Sequence, residues 1–116
     1  MKMSKIRFLL AIPDPGPRDS GSLVRLAIRD TTLADALHPT VAETTEGLDD
    51  AAEGIEVSLE LPDQALDPRH RYSVWAHVDH EGQGEIQTGD LITTQEVSVR
   101  PEHLDADPVE VPLTRI

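Results

Sequence analysis

The sequence predicts an all-β fold, an antiparallel β-sandwich of about seven strands, on three observations. Apolar and polar residues alternate with period two along most of the chain, the pattern of a strand with one buried and one wet face. The alternating runs are separated by clusters rich in Pro, Gly, Asp and Ser, which punctuate strands. Helical periodicity is confined to single turns. The 116 residues suffice for one domain, residues 1–116, with one hydrophobic core.

The first strand is read from Ile6, Phe8, Leu10 and Ile12 alternating with Lys5, Arg7, Leu9 and Ala11, and Pro13-Asp14-Pro15-Gly16-Pro17 opens a loop that runs to Ser22. Val24, Leu26 and Ile28 then alternate with Arg25, Ala27 and Arg29. Thr32 to Leu37 suits one helical turn capped by Thr31 or Thr32, which Pro39 closes. Thr40 to Thr45 is a weaker strand pattern, followed by an acidic loop, Glu46 to Gly54, in which Leu48 to Ala52 suits a second turn. The clearest alternation is Ile55-Glu56-Val57-Ser58-Leu59-Glu60-Leu61, ended by Pro62.

In the next strand Tyr72, Val74, Ala76 and Val78 are expected to face inward and Ser73, Trp75, His77 and Asp79 outward. Glu81-Gly82-Gln83-Gly84 reads as a hairpin turn, which makes the flanking strands antiparallel neighbours. Glu85 to Thr94 is a weak strand, Val97 and Val99 flank Ser98, and Val109, Val111 and Leu113 alternate with Glu110, Pro112 and Thr114. Pro112 cannot donate to a ladder, so the last strand is expected at a sheet edge or bulged.

Ten Lys and Arg face 22 Asp and Glu, a net charge of -12. That balance repels phosphate backbones and anionic lipid, so nucleic acid is excluded as a partner; a basic protein or a cation suits it better. With no cysteine, disulfides, thiolate metal sites, cysteine nucleophiles and lipid-acceptor thiols are all excluded. The run Phe8 to Ile12 is too short for a secretory signal and nothing approaches the roughly 20 apolar residues of a membrane helix. A soluble, cytoplasmic chain without membrane insertion is expected.

Trp75 stands out among candidate sites, because an outward tryptophan beside Ser73 and His77 offers a large contact area for a partner protein. A metal reading uses His77, Asp79 and His80, which cluster at one strand end, although no second histidine-rich segment completes the ligand set. His70-Arg71 would suit the polarisation of a substrate in a transthyretin-like hydrolase, but that family's Tyr-Arg-Gly-Ser ending is replaced here by Pro112-Leu113-Thr114-Arg115-Ile116. Asp105, Asp107 and Glu110, and likewise Asp49, Asp50 and Glu53, lack the spacing and glycine of an EF-hand loop. Ser58, Ser73 and Ser98 lie within strands rather than at a strained turn, and no Gly-rich phosphate loop is present. No enzyme activity and no cofactor are therefore expected. An unpaired edge or an exposed aromatic face is compatible with a homodimer.

Leu61-Pro62, Leu66 to Val78, Gly84 and Ile86-Gln87-Thr88-Gly89-Asp90 together resemble the YbaY-like lipoprotein family, which includes YscW-type pilotins of type III secretion systems. Leu26 to Ala36 is similar to an earlier segment of the same family, so the resemblance runs from about residue 5 to residue 116. It implies an immunoglobulin- or transthyretin-like sandwich that works without catalysis, as an interaction or chaperone-like module with a protein partner at the cell envelope. Trp75 and His77 stand where members commonly carry arginine. Members are usually lipidated on a cysteine after a signal peptide, and this sequence has neither.

Overall fold

Alternation becomes register when strands pair, and in the computed structural model of this chain the alternating segments do pair. The structure describes residues 2–13, 21–33, 38–48, 54–80 and 85–116. The helical turn over Thr32–Leu37 beyond Leu33, the turn over Leu48–Ala52 beyond Leu48, the carboxylates Asp49, Asp50 and Glu53, and the turn Glu81–Gly84 lie outside the described residues.

Nine strands are described: β1 (Met3–Ala11), β2 (Leu23–Asp30), β3 (Thr40–Gly47), β4 (Gly54–Pro62), β5 (Tyr72–Asp79), β6 (Leu91–Ile92), β7 (Ser98–Val99), β8 (Val109–Pro112) and β9 (Thr114–Arg115). They form a small sheet ordered β4-β1-β8 and a large sheet ordered β3-β2-β5-β6-β9, with β7 also on β5. The all-β sandwich expected from the sequence is the fold observed. One pair departs from the antiparallel expectation: β8 runs parallel to β1, Phe8 beside Val109 and Ala11 beside Pro112.

The core lies between the sheets. Ile6, Phe8 and Leu10 of β1 are wholly buried, and they face Val24, Leu26 and Ile28 of β2 and Val74, Ala76 and Val78 of β5 in one cluster. Val57, Leu59 and Leu61 of β4 and Val111 of β8 complete the small sheet's inner face. Each fully buried aliphatic or Phe side chain of this set contributes roughly 1.5–3 kcal/mol. Tyr72 joins the core while its hydroxyl accepts the Asp67 N–H at 2.8 Å, so its polar end is satisfied.

The C-terminal segment differs most from the alternation. Val109 to Thr114 reads as one strand, yet the chain changes sheet at Leu113, with β8 on β1 and β9 on β6. β8 is an edge strand, as Pro112 requires, and the exposed proline stands at the crossing. The Leu113 N–H still donates to the Ala11 carbonyl at 3.1 Å, while its side chain plugs the open side of the core. The weak pattern Glu85–Thr94 yields only Leu91–Ile92 as strand. Among the described residues, no helix is long and apolar enough to cross a membrane.

Candidate functional site

The outer face of the large sheet carries most of the residues singled out in the sequence. β2 and β5 pair so that Arg25 lies opposite His77, Ala27 opposite Trp75, and Arg29 opposite Ser73. Cross-strand neighbours reach diagonally as well. Arg25 thus pairs with Asp79 (Nη2 to Oδ2, 3.3 Å), and the Arg29 guanidinium lies 4.9 Å from the centroid of the Trp75 ring. Trp75 also meets the His77 ring edge-on at 5.8 Å.

Trp75 and Ser73 are half-buried and line a cavity of about 510 Å³ that also takes in Arg29, His38, Arg71 and Thr93. A second cavity of about 330 Å³ adjoins it through Arg71 and Glu96. The space lies where residues 94–96 leave the ladder between β6 and β7, the Thr93 N–H still donating to the Ala76 carbonyl at 3.1 Å. There the Ala76 N–H is met by the Thr93 hydroxyl at 3.3 Å, and the Val74 N–H by the Val97 carbonyl at 3.0 Å.

His77 corrects an expectation. It is on the outward face of β5, as the alternation requires, but it is fully buried and cannot belong to an accessible surface with Trp75 and Ser73. The cover is Asp90, which accepts from His77 Nε2 at 2.7 Å. Asp90 sits in a tight turn whose third residue, Gly89, has φ +97°, a region open to glycine. β9 and the residue after it hold this turn: the Gly89 N–H donates to the Ile116 carbonyl and the Ile116 N–H to the Asp90 carbonyl.

Asp90 accepts from the Gln87 N–H (3.1 Å), the His80 N–H (3.2 Å) and His80 Nδ1 (2.9 Å) as well. Its burial would raise the carboxyl pKa, but these bonds, His77 foremost, outweigh it and hold the group at about 2. An ionised carboxylate only accepts, so His77 Nε2 and His80 Nδ1 carry the hydrogens.

The metal-ligand trio of the sequence is rearranged accordingly. His77, Asp79 and Asp90 place one ligand atom each within 4.8 Å of one another, whereas His80 is outside that set, on the far oxygen of Asp90. Sequence reasoning passed over Asp90, because it reaches His77 from 13 residues away through a turn. The signal available for it was the Thr88-Gly89-Asp90 turn chemistry.

The His70 cluster lies at the other end of β5. Asp30 Oδ2 accepts from His70 Nδ1 at 2.8 Å, and Asp30 Oδ1 accepts from the N–H (2.9 Å) and hydroxyl (2.6 Å) of Thr32. The Thr32 side-chain bond, then that of His70, lowers the Asp30 carboxyl to about 2. Thr32 thus bonds the carboxylate rather than the imidazole, the wrong order for an activated nucleophile. Arg69 grips Asp67 through Nε and Nη2 at 3.2 and 3.0 Å, which likewise holds Asp67 at about 2. Asp105, at φ 55°, accepts the Lys5 N–H at 3.2 Å and donates its own N–H to the Lys5 carbonyl at 2.8 Å. Its carboxylate therefore fastens a loop to β1.

Three comparisons bear on this geometry. The model of one protein family, described as "Type III secretion system lipoprotein chaperone (YscW)", matches residues 14–102. Among solved structures, an alternative pilotin from the type II secretion system of Vibrio cholerae superposes with a TM-score of 0.67 at 23% identity, covering 99% of this chain and 100% of that one. No curated protein matches the sequence.

Proposed function

Because the chain belongs to the family of type III secretion system lipoprotein chaperones (YscW), we propose that it is a non-enzymatic module that binds another protein, with the Trp75 groove as its docking surface. The observation that carries this reading is Trp75 itself, the sole tryptophan of the chain, half-buried in an open cavity rather than packed into the core. An indole held in that way offers much contact area at little entropic cost. Ser73 flanks it on the same face of β5, while the buried His77 ring meets the indole edge-on from its other side along the strand. The likeness to a pilotin suits a partner within a secretion system. The Thr32–Asp30–His70 order gives no activated nucleophile, in keeping with a binding role.

A photo-crosslinking residue at Ser73 in cells is expected to capture one protein, and the same residue at Glu60, on the outer face of the small sheet, is expected not to. Equal capture from both faces, or none from Ser73, overturns the reading.

A second reading, a divalent cation held by His77, Asp79 and Asp90, is favoured by one observation: His77 Nδ1 is buried without a hydrogen-bond partner. Against it, the Arg25 guanidinium already neutralises Asp79, and Asp90 already accepts four bonds. Zinc, copper or calcium is expected to leave the melting temperature unchanged. A saturable rise, lost in His77→Gln, would establish the cation site instead.

A further inference from the structure

The charge of the docking groove is opposite to that of the chain. In a sequence with 22 acidic and 10 basic residues, a described arginine ordinarily finds a carboxylate: Arg7 pairs with Glu56, Arg25 with Asp79, Arg69 with Asp67 and Arg100 with Glu102. Arg115 donates to the carbonyls of Gly89 and Pro13. Arg29 and Arg71 form no ion pair among the described residues, and both line the Trp75 cavity.

Resting on the docking surface proposed above, we propose that its occupant is an acidic peptide segment whose carboxylates bind Arg29 and Arg71 while an apolar residue packs on Trp75. Stacking on the indole orients the Arg29 guanidinium and leaves its N–H edge to receive a carboxylate. Arg71 is fixed at the start of β5 by its backbone N–H, which donates to the Thr32 hydroxyl at 3.0 Å, and its side chain is exposed. By register Arg29 lies opposite Ser73, between Trp75 and Arg71 along the sheet. The two guanidiniums thus follow one another on one side of the indole and suit successive anionic side chains beside an apolar one.

The net charge of -12 acts at long range and repels a polyanion such as nucleic acid, with Glu96 on the rim adding to that repulsion. A contact within a few ångströms is governed by the local pair instead, since screening removes most of the distant field beyond about 8 Å in physiological salt. The basic partner that the composition favours is therefore replaced, at this surface, by an acidic one.

Trp75 emission reports the site alone. Iodide is expected to quench it more efficiently than caesium, despite the acidic protein, and Arg29→Gln with Arg71→Gln is expected to remove that preference. Both variants are surface changes expected to melt with the parent, and Arg29→Lys is expected to retain the preference. Three twelve-residue peptides, alternating Leu with Glu, Gln or Lys, are then titrated. The Glu peptide is expected to shift the emission saturably, and each Arg→Gln change to weaken it about tenfold.

Caesium quenching as well as iodide overturns the cationic groove. A Gln or Lys peptide that binds as tightly as the Glu peptide overturns the acidic occupant and leaves the docking surface standing. Absence of binding by any peptide also overturns the acidic occupant, and crosslinking from Ser73 then decides the docking surface on its own.

Discussion

Asp90 accepts its four hydrogen bonds at 2% exposure, and this couples one carboxyl to the acid stability of the molecule. Its ordinary value of 3.8 falls to about 2 in the fold. Between those values the unfolded chain takes up a proton that the folded chain refuses, so acid favours unfolding. The contribution, about 2 kcal/mol, is complete above the unfolded value and is lost as pH falls through the folded one. Asp90→Asn is expected to lower stability at neutral pH by about that amount and to flatten the fall in stability between pH 4 and pH 2. Asp30 and Asp67, also near 2, keep part of that slope in the variant. Urea unfolding across that range measures it, and parallel curves for both proteins would count against Asp90 as the source. At this scale alternation assigned His77 to the correct face of β5. It gave no view of the cover, because period two records which way a side chain points and not what folds over it.

At the scale of elements, the long strands were legible throughout and the short ones only in part, β7 being marked by Val97 and Val99 about Ser98. β1, β2, β4 and β5 carry alternation over eight or nine residues, enough for the pattern to fix the buried face. β6 and β9 have two residues each, below the length at which any period exists. Val109 to Thr114 misled for a different reason: a residue facing the core from either sheet looks the same in sequence, so the crossing at Leu113 left the alternation intact. Neighbouring substitutions separate the two roles. Leu113→Ala is expected to cost about 2–4 kcal/mol, because the side chain closes the core at the crossing. Pro112→Ala, exposed on an edge, is expected to stay within about 0.5 kcal/mol of the parent. Equal costs in chemical denaturation would show that the crossing depends on the proline and not on the plug.

For the whole molecule, composition set the sign of the net charge but not its distribution. The groove is cationic because β2 and β5 bring Arg29 beside Trp75 and because Arg71 stands where β5 begins. That placement follows from pairing, which composition cannot hold. The acidic surplus bears more directly on self-association. One edge of the large sheet is β3, the other being the two-residue β9; β3 carries exposed Glu43 and Glu46, and like charges on an open edge oppose pairing with a second copy. Light scattering at low ionic strength is expected to give the mass of a monomer, with any dimer appearing only as salt screens the edge. A dimer that is tightest at low salt would reverse this.

The parallel pairing of β1 with β8 has a mechanical consequence. Met3 begins β1 and Pro112 ends β8, so tension applied between them runs along the two strands and loads their cross-links together, in shear. Met3 and Pro62 face one another across β1 and β4, so tension between those residues opens one rung after another. The chain contains no cysteine, and a pair of introduced thiols can therefore serve as unique handles for either direction. Pulled from residues 3 and 112, the sandwich should yield at a markedly higher force than from residues 3 and 62, which makes its resistance depend on where a load is attached.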